Sequence, residues 1–164
     1  MNVKVYSKLN FDNLCKENGW NDNNIPNDIA FISICCTDDC IRGYLMERDP
    51  DADDEHWFKE NHNNVINLNF DDIIQDEMVS NGFTYKCITK EQANELYTFI
   101  NNHVKQKHDF IIHCRAGKSR SQGVARFIYD CYPEYTNGNL DNPCLYYNSN
   151  VTAKLKRCFN NIED

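Results

Sequence analysis

The sequence predicts an α/β domain with a central, mostly parallel sheet flanked by helices. Three observations carry this. Short β-rich runs recur at Val3–Ser7, Ala30–Cys36, Val65–Phe70 and "DFIIH" (residues 109–113). Helical patterns alternate with them, most clearly over Thr89–Lys107 and Ser119–Tyr132. Finally, neither a repeat nor a composition break divides the 164 residues, so one domain, 1–164, is expected.

Each element has its own signal. "VKVYS" alternates and opens the chain as a strand. "FDNLCKENG" reads as a short helix stopped by Gly19. "AFISICC" is an apolar run between "PND" and "TDD", the mark of a buried strand. "RDPDADDEH" (48–56) is an acidic surface turn. "VINLNF" alternates and ends at Asp71 and Asp72, and residues 71–86 read as mostly loop, with a turn at Asn81–Gly82. Thr89 and Gln92 form a capping-box pair, with Ala93, Leu96, Tyr97, Ile100 and Val104 on one helical face. Pro133 ends the helix over 119–132, and "PEYTNGNLDNP" reads as a long loop. Asn150 is the expected N-cap of a last amphipathic helix.

Composition excludes several functions. No apolar run reaches the roughly 18 residues of a membrane span. A net charge of −8 argues against broad nucleic-acid or membrane-surface binding, while leaving room for one local basic pocket. The nine cysteines are odd in number, and no signal peptide precedes them, so reduced thiols in a cytoplasm are expected. Richness in Asn, Asp, Ile, Lys and Tyr suggests AT-rich coding, as in phages, viruses and parasites; the cytoplasm would then be the host's.

The chemistry gathers in "FIIHCRAGKSRSQGVARFIYD" (110–130). Cys114 leaves the C-terminal end of a strand, where open α/β sheets place their ligand crevices. The loop then enters a helix N-terminus, whose free N–H groups and dipole attract an anion. Gly117 permits a tight or left-handed turn. Arg120 offers a fork to two anionic oxygens. The same field favours the thiolate of Cys114. A thiolate, an N–H cradle and a guanidinium fork suit nucleophilic attack on phosphorus.

"HCRAGKSRS" resembles the H-C-x5-R-[S/T] signature of cysteine-based protein tyrosine and dual-specificity phosphatases, through His113, Cys114, Arg120 and Ser121. The resemblance covers roughly Ala30–Tyr132 and is greatest to compact members from phages and bacteria. It implies a dual-specificity-phosphatase-like fold and a phosphocysteine intermediate, without cofactor or metal. It implies phosphotyrosine, phosphoserine or phosphothreonine in proteins as substrate. A monomer is expected. Cys114 would be the nucleophile, and Ser121 would stabilise the leaving thiolate. His113 would brace the loop, and Arg115, Ala116, Gly117, Lys118 and Ser119 would hold the phosphate. In the family a general-acid aspartate follows an upstream strand. Asp72 stands in that place, with Asp71 and then Asp76 as alternatives.

Arg115 and Lys118 resemble the basic loop positions of the phosphatase-and-tensin lipid phosphatases. They keep inositol phospholipids and RNA 5′-triphosphate ends open as substrates. A phospho-binding pseudophosphatase is the non-enzymatic alternative. "CCTDDC" with His56 and His62 lacks paired C-x2-C spacing, so zinc is not expected. The lipid phosphatases also carry a cysteine at a strand end that closes a disulfide with the nucleophile. Cys35 resembles that position, with Cys36 beside it; core filling is the other reading of both.

Overall fold

The structure is a computed structural model that describes residues 1–45, 54–136 and 146–161. In chain order come β1 (Val3–Ser7), α1 (Lys8–Asn18), β2 (Ile29–Cys35), the one-turn α2 (Asp38–Cys40) and a π-helical turn (Ile41–Leu45). Then follow β3 (Val65–Asn69), β4 (Glu77–Ser80), β5 (Phe83–Lys86), α3 (Lys90–Lys105), β6 (Asp109–Cys114), α4 (Arg120–Cys131) and α5 (Ser149–Phe159). The central sheet has four strands in the order β1-β6-β2-β3, every pair parallel. The α/β class with a helix-flanked parallel sheet is therefore as expected.

Parallel strands covered on both sides read as unbroken apolar runs. Accordingly, β2 is buried from Ala30 to Cys35 and β6 from Phe110 to Cys114. Their side chains sort by alternation. Ile32, Ile34, Ile112 and Cys114 join the larger core with residues of α3, α4 and α5. Phe31, Val65 and Ile111 join Phe11 and Cys15 of α1 and Phe58 in an aromatic core on the other side. The result is three layers, with β6 and β2 at the centre.

The local signals act as read. Gly19 adopts φ +67 at the end of α1 and its N–H caps Cys15 and Lys16 carbonyls. Thr89 and Gln92 exchange both bonds of a capping box at the start of α3. Two readings need correction. Residues 71–86 are not mostly loop: β4 and β5 pair antiparallel across Asn81 (φ 51) and Gly82 (φ 79). Two consecutive positive φ angles are what a tight hairpin turn requires. The strands escaped notice because each is four residues long and β4 is exposed throughout, so no apolar alternation marks it. The cap of α5 is Asn148 rather than Asn150: its side-chain oxygen accepts from the N–H groups of Asn150 and Val151.

Six of the nine residues of the acidic stretch, 48–53, and the loop beyond Thr136 up to residue 145 lie outside the described residues. Among the described residues no helix is long and apolar enough to cross a membrane.

Candidate active site

Three junctions converge at the C-terminal edge of the sheet: β6 into α4, β2 into α2, and β3 into the hairpin. They enclose a cavity of about 710 Å³ lined by Cys114, Arg115, Lys118, Ser119, Arg120 and Asp72, with Cys36, Asp71 and the hairpin residues Met78 and Tyr85 on its walls. Ala116 lines it as well. A larger groove, about 1020 Å³, runs between the hairpin, α3 and α5. Its Lys154 is bonded to Asp76 (2.6 Å), and burial raises the pKa of its Cys87 thiol.

The loop from Cys114 to Arg120 is held from behind by β1. Gly117 takes φ +68, and a Cβ there would come within 2.7 Å of the backbone of Tyr6 and Ser7. Two independent constraints thus demand glycine: the left-handed backbone and the closeness of β1. The N–H of Lys8 donates to the Arg115 carbonyl (3.1 Å), and the Gln122 amide donates to that of Gly117 (3.5 Å).

Cys114 is buried at the base of the cavity, with its Sγ 3.0 Å from Ser121 Oγ. Arg120 is only 4% exposed. One terminal nitrogen donates to the Phe70 carbonyl (2.7 Å), the other lies 3.5 Å from Cys36 Sγ, and Nε is buried with no partner among the described residues. Burial works against its charge, but the Cys36 and Cys114 sulfurs and the Asp54 and Asp72 carboxylates outweigh it and push its pKa up. The guanidinium is therefore a fixed charge, locked by two anchors.

The two aspartates have different surroundings. Asp72 is exposed on the cavity, and its Oδ1 accepts from Ser119 Oγ (2.6 Å) and Asn148 Nδ2 (3.0 Å). Asp71 is 1% exposed and accepts three bonds: from Thr37 N (2.9 Å), Thr37 Oγ1 (2.7 Å) and Lys86 N (2.9 Å). Asp71 thus ties β2's end to β5, whereas Asp72 lines the cavity beside the loop that runs from Cys114 to Arg120. Asp76 lies in the other groove, paired with Lys154.

His113 is fully buried on the opposite face of β6 from Cys114, stacked on Phe11 (4.2 Å between ring centres). Burial, with Lys8, His56 and Arg120 adding positive charge, lowers its pKa to about 3. Cys35 and Cys36 divide in the same way. Cys36 lines the cavity beside Arg120, while Cys35 Sγ lies 3.4 Å from His56 Nδ1 on the far face. Burial and the Asp54 carboxylate push the Cys35 thiol up to about 12; a hydrogen bond with Cys40, then burial, raises that of Cys36.

Cys36, Cys40 and Asp71 place a ligand atom each within 4.8 Å of one another. The Arg120 guanidinium beside Cys36 and the three donors already on Asp71 oppose a cation there. The reading from sequence missed Asn148. It carries Asp72 with one amide hydrogen bond, and its neighbours Ser149 and Asn150 are equally good caps by residue type, so only the tertiary contact singles it out.

Comparison with family models, with curated proteins and with solved structures yields no match for this chain.

Proposed function

We propose that this chain is a cysteine-dependent phosphatase of the protein tyrosine and dual-specificity class, acting on phosphate monoesters. The observation that carries the reading is the Cys114 sulfur, 3.0 Å from the Ser121 hydroxyl, in one cavity with the anchored Arg120 and Asp72. In this reading Cys114 attacks phosphorus; the S–P bond forms as the P–O bond to the alcohol breaks. The departing oxygen takes a proton from Asp72. Asp72, now a carboxylate, removes a proton from water, whose oxygen attacks phosphorus and expels the thiolate. Ser121 donates a hydrogen bond to that thiolate as it leaves. Arg120 and the loop N–H groups bind the equatorial oxygens, whose charge is greatest in the transition state. Phosphotyrosine, phosphoserine and phosphothreonine in proteins are the first substrates to try.

Arg115 and Lys118 on the same cavity favour a second reading, a phosphoinositide or an RNA 5′-triphosphate end. A panel of phosphopeptides, phosphoinositides and triphosphorylated RNA decides between them. Turnover without added metal, abolished in Cys114→Ser while substrate still binds, is the expected result. Full activity in Cys114→Ser, or activity lost to a chelator, overturns the mechanism. Binding without turnover by the unmutated protein makes it a phospho-binding pseudophosphatase.

A further inference from the structure

Behind the nucleophile, on the face of the sheet that does not line the cavity, four polar side chains form a continuous line. His113 Nε2 lies 2.7 Å from Ser33 Oγ, Ser33 Oγ 2.6 Å from His56 Nδ1, and His56 Nε2 3.0 Å from Asn69 Oδ1. Asn69 Nδ2 then donates to the Cys36 carbonyl at 3.0 Å. His113 and Ser33 are fully buried, and their strands are in register, Ser33 opposite His113.

The line has one direction. A carbonyl only accepts, so Asn69 must turn its NH₂ to Cys36 and its oxygen to His56. His56 then carries its proton on Nε2 and accepts at Nδ1. The two groups at Nδ1 are the Ser33 hydroxyl and the Cys35 thiol at 3.4 Å, both donors. Ser33, having given its only proton to His56, accepts from His113 Nε2–H. That leaves His113 Nδ1 as a lone pair, and it is a buried atom with no hydrogen-bond partner among the described residues. A bare acceptor there costs less than an orphaned N–H, so the far end of the line agrees with the near end. Burial also lowers the pKa of His56, keeping it in the neutral form that the line requires.

We propose that Ser33, His56 and Asn69 are positioning residues that fix the ring and tautomer of His113, and through it the peptide that carries Cys114 into the phosphate loop. The proposal deepens the phosphatase reading, on which its functional meaning rests, but its geometry stands without it. It also spans the fold: Asn69 is exposed at the end of β3, two strands away from Cys114. The charged and titratable groups around the line are Asp54, Lys8, Lys59 and Cys35 at His56, and Lys8 and Arg120 at His113. Of these only the Cys35 thiol offers His56 Nδ1 a second donor, and none bonds His113 Nε2 in place of Ser33.

The test uses the full chain and two readouts that need no substrate. Nitrogen-15 NMR of the imidazoles reads the His113 tautomer. Iodoacetamide labelling across pH, followed by mass spectrometry of the Cys114 peptide, reads the nucleophile. In the unmutated protein His113 is the Nε2–H form. Asn69→Asp keeps an acceptor for His56 and keeps that tautomer. Asn69→Leu removes it, populates the Nδ1–H form of His113, and moves the labelling midpoint by about 0.7 pH unit, the equivalent of one net hydrogen bond. Ser33→Ala, at the buried link, does the same. An Nδ1–H His113 in the unmutated protein overturns the proposal, as does a labelling profile unmoved by Asn69→Leu, with or without a change in tautomer. A moved profile in a protein that turns over no phosphate ester sinks the phosphatase reading and leaves the relay standing.

Discussion

The two faces of the β2–β6 pair use adjacent residues for opposite purposes. On the cavity face stand Cys114 and Cys36, beside Arg120. On the other face stand their chain neighbours His113 and Cys35, packed with Ser33 and His56 over the aromatic core of Phe11, Phe31 and Phe58. A strand's alternation makes this separation compulsory: a residue that lines the cavity and the one that packs behind it can be neighbours in sequence and still face apart. Asp71 and Asp72, just beyond β3, divide likewise, one bonded to backbone donors and one open to the cavity.

The aspartate pair should break this comparison most visibly. If Asp72 protonates the leaving oxygen, Asp72→Asn slows hydrolysis of poor leaving groups by about 10²–10⁴-fold. Activated aryl phosphates, which need little proton assistance, are slowed far less. Asp71→Asn should instead lower stability, by about 1–3 kcal/mol, because two backbone N–H groups and a hydroxyl lose their charged acceptor. Steady-state rates on substrates of graded leaving-group pKa, set beside urea midpoints, separate the two. The opposite assignment of effects would make Asp71 the acid.

Arg120→Lys comes next. If the phosphatase reading holds, an ammonium cannot hold the Phe70 carbonyl and present a second donor to the substrate phosphate in the same plane. Turnover should fall by at least about a hundredfold, as when a key oxyanion donor is removed. A kcat within a few-fold of normal would mean that Arg120 is a structural strut between β3 and the loop.

Glycines provide a milder contrast. Gly19 and Gly117 share nearly the same backbone, φ +67 and +68, yet a Cβ on Gly19 meets nothing within 4 Å. Gly19→Ala should therefore show only the left-handed penalty, about 1–2 kcal/mol. Gly117→Ala adds a clash with the backbone of Tyr6 and Ser7, and must shift the loop from Cys114 to Arg120 away from β1. The expected outcome is a larger loss of stability together with loss of turnover. Equal losses in the two variants would show that the loop relaxes freely.

What was legible in the sequence was local. The spacing from Cys114 to Arg120, the capping box at Thr89 and the stop at Gly19 each depend on residues within one turn or loop. Phase along the strand was legible in principle, since Cys36, not Cys35, shares a face with the residue paired to Cys114's strand. The acidic pair was not, because the donors that occupy Asp71 come from Thr37 and Lys86, 34 and 15 residues away. Ser33 and Asn69 carry no signal in the sequence, and His56 stands out there only as a rejected zinc ligand, since no short-range pattern joins the three and only the parallel register brings Ser33 to His113. Asn148 lay among three residues of equal capping aptitude.

The smallest expected effect separates the faces by pH. His113, with its pKa lowered to about 3, refuses a proton that the unfolded chain accepts near pH 6.5. Between these values the unfolded state binds more protons, so stability is complete above about pH 6.5 and falls as pH drops toward 3. From pH 7.5 to 5 the loss from this one buried ring is about 1–2 kcal/mol. His56 and His103, lowered first by burial, act in the same direction. Among the described residues no histidine lines the cavity, so that face adds nothing to this histidine slope. Urea midpoints at the two pH values measure the sum, and the NMR signal of His113, flat down to pH 4, assigns its share. A His113 resonance that titrates near pH 6 would mean that water reaches the ring, and that the back face is not the dry support that its stacking on Phe11 and its bond to Ser33 describe.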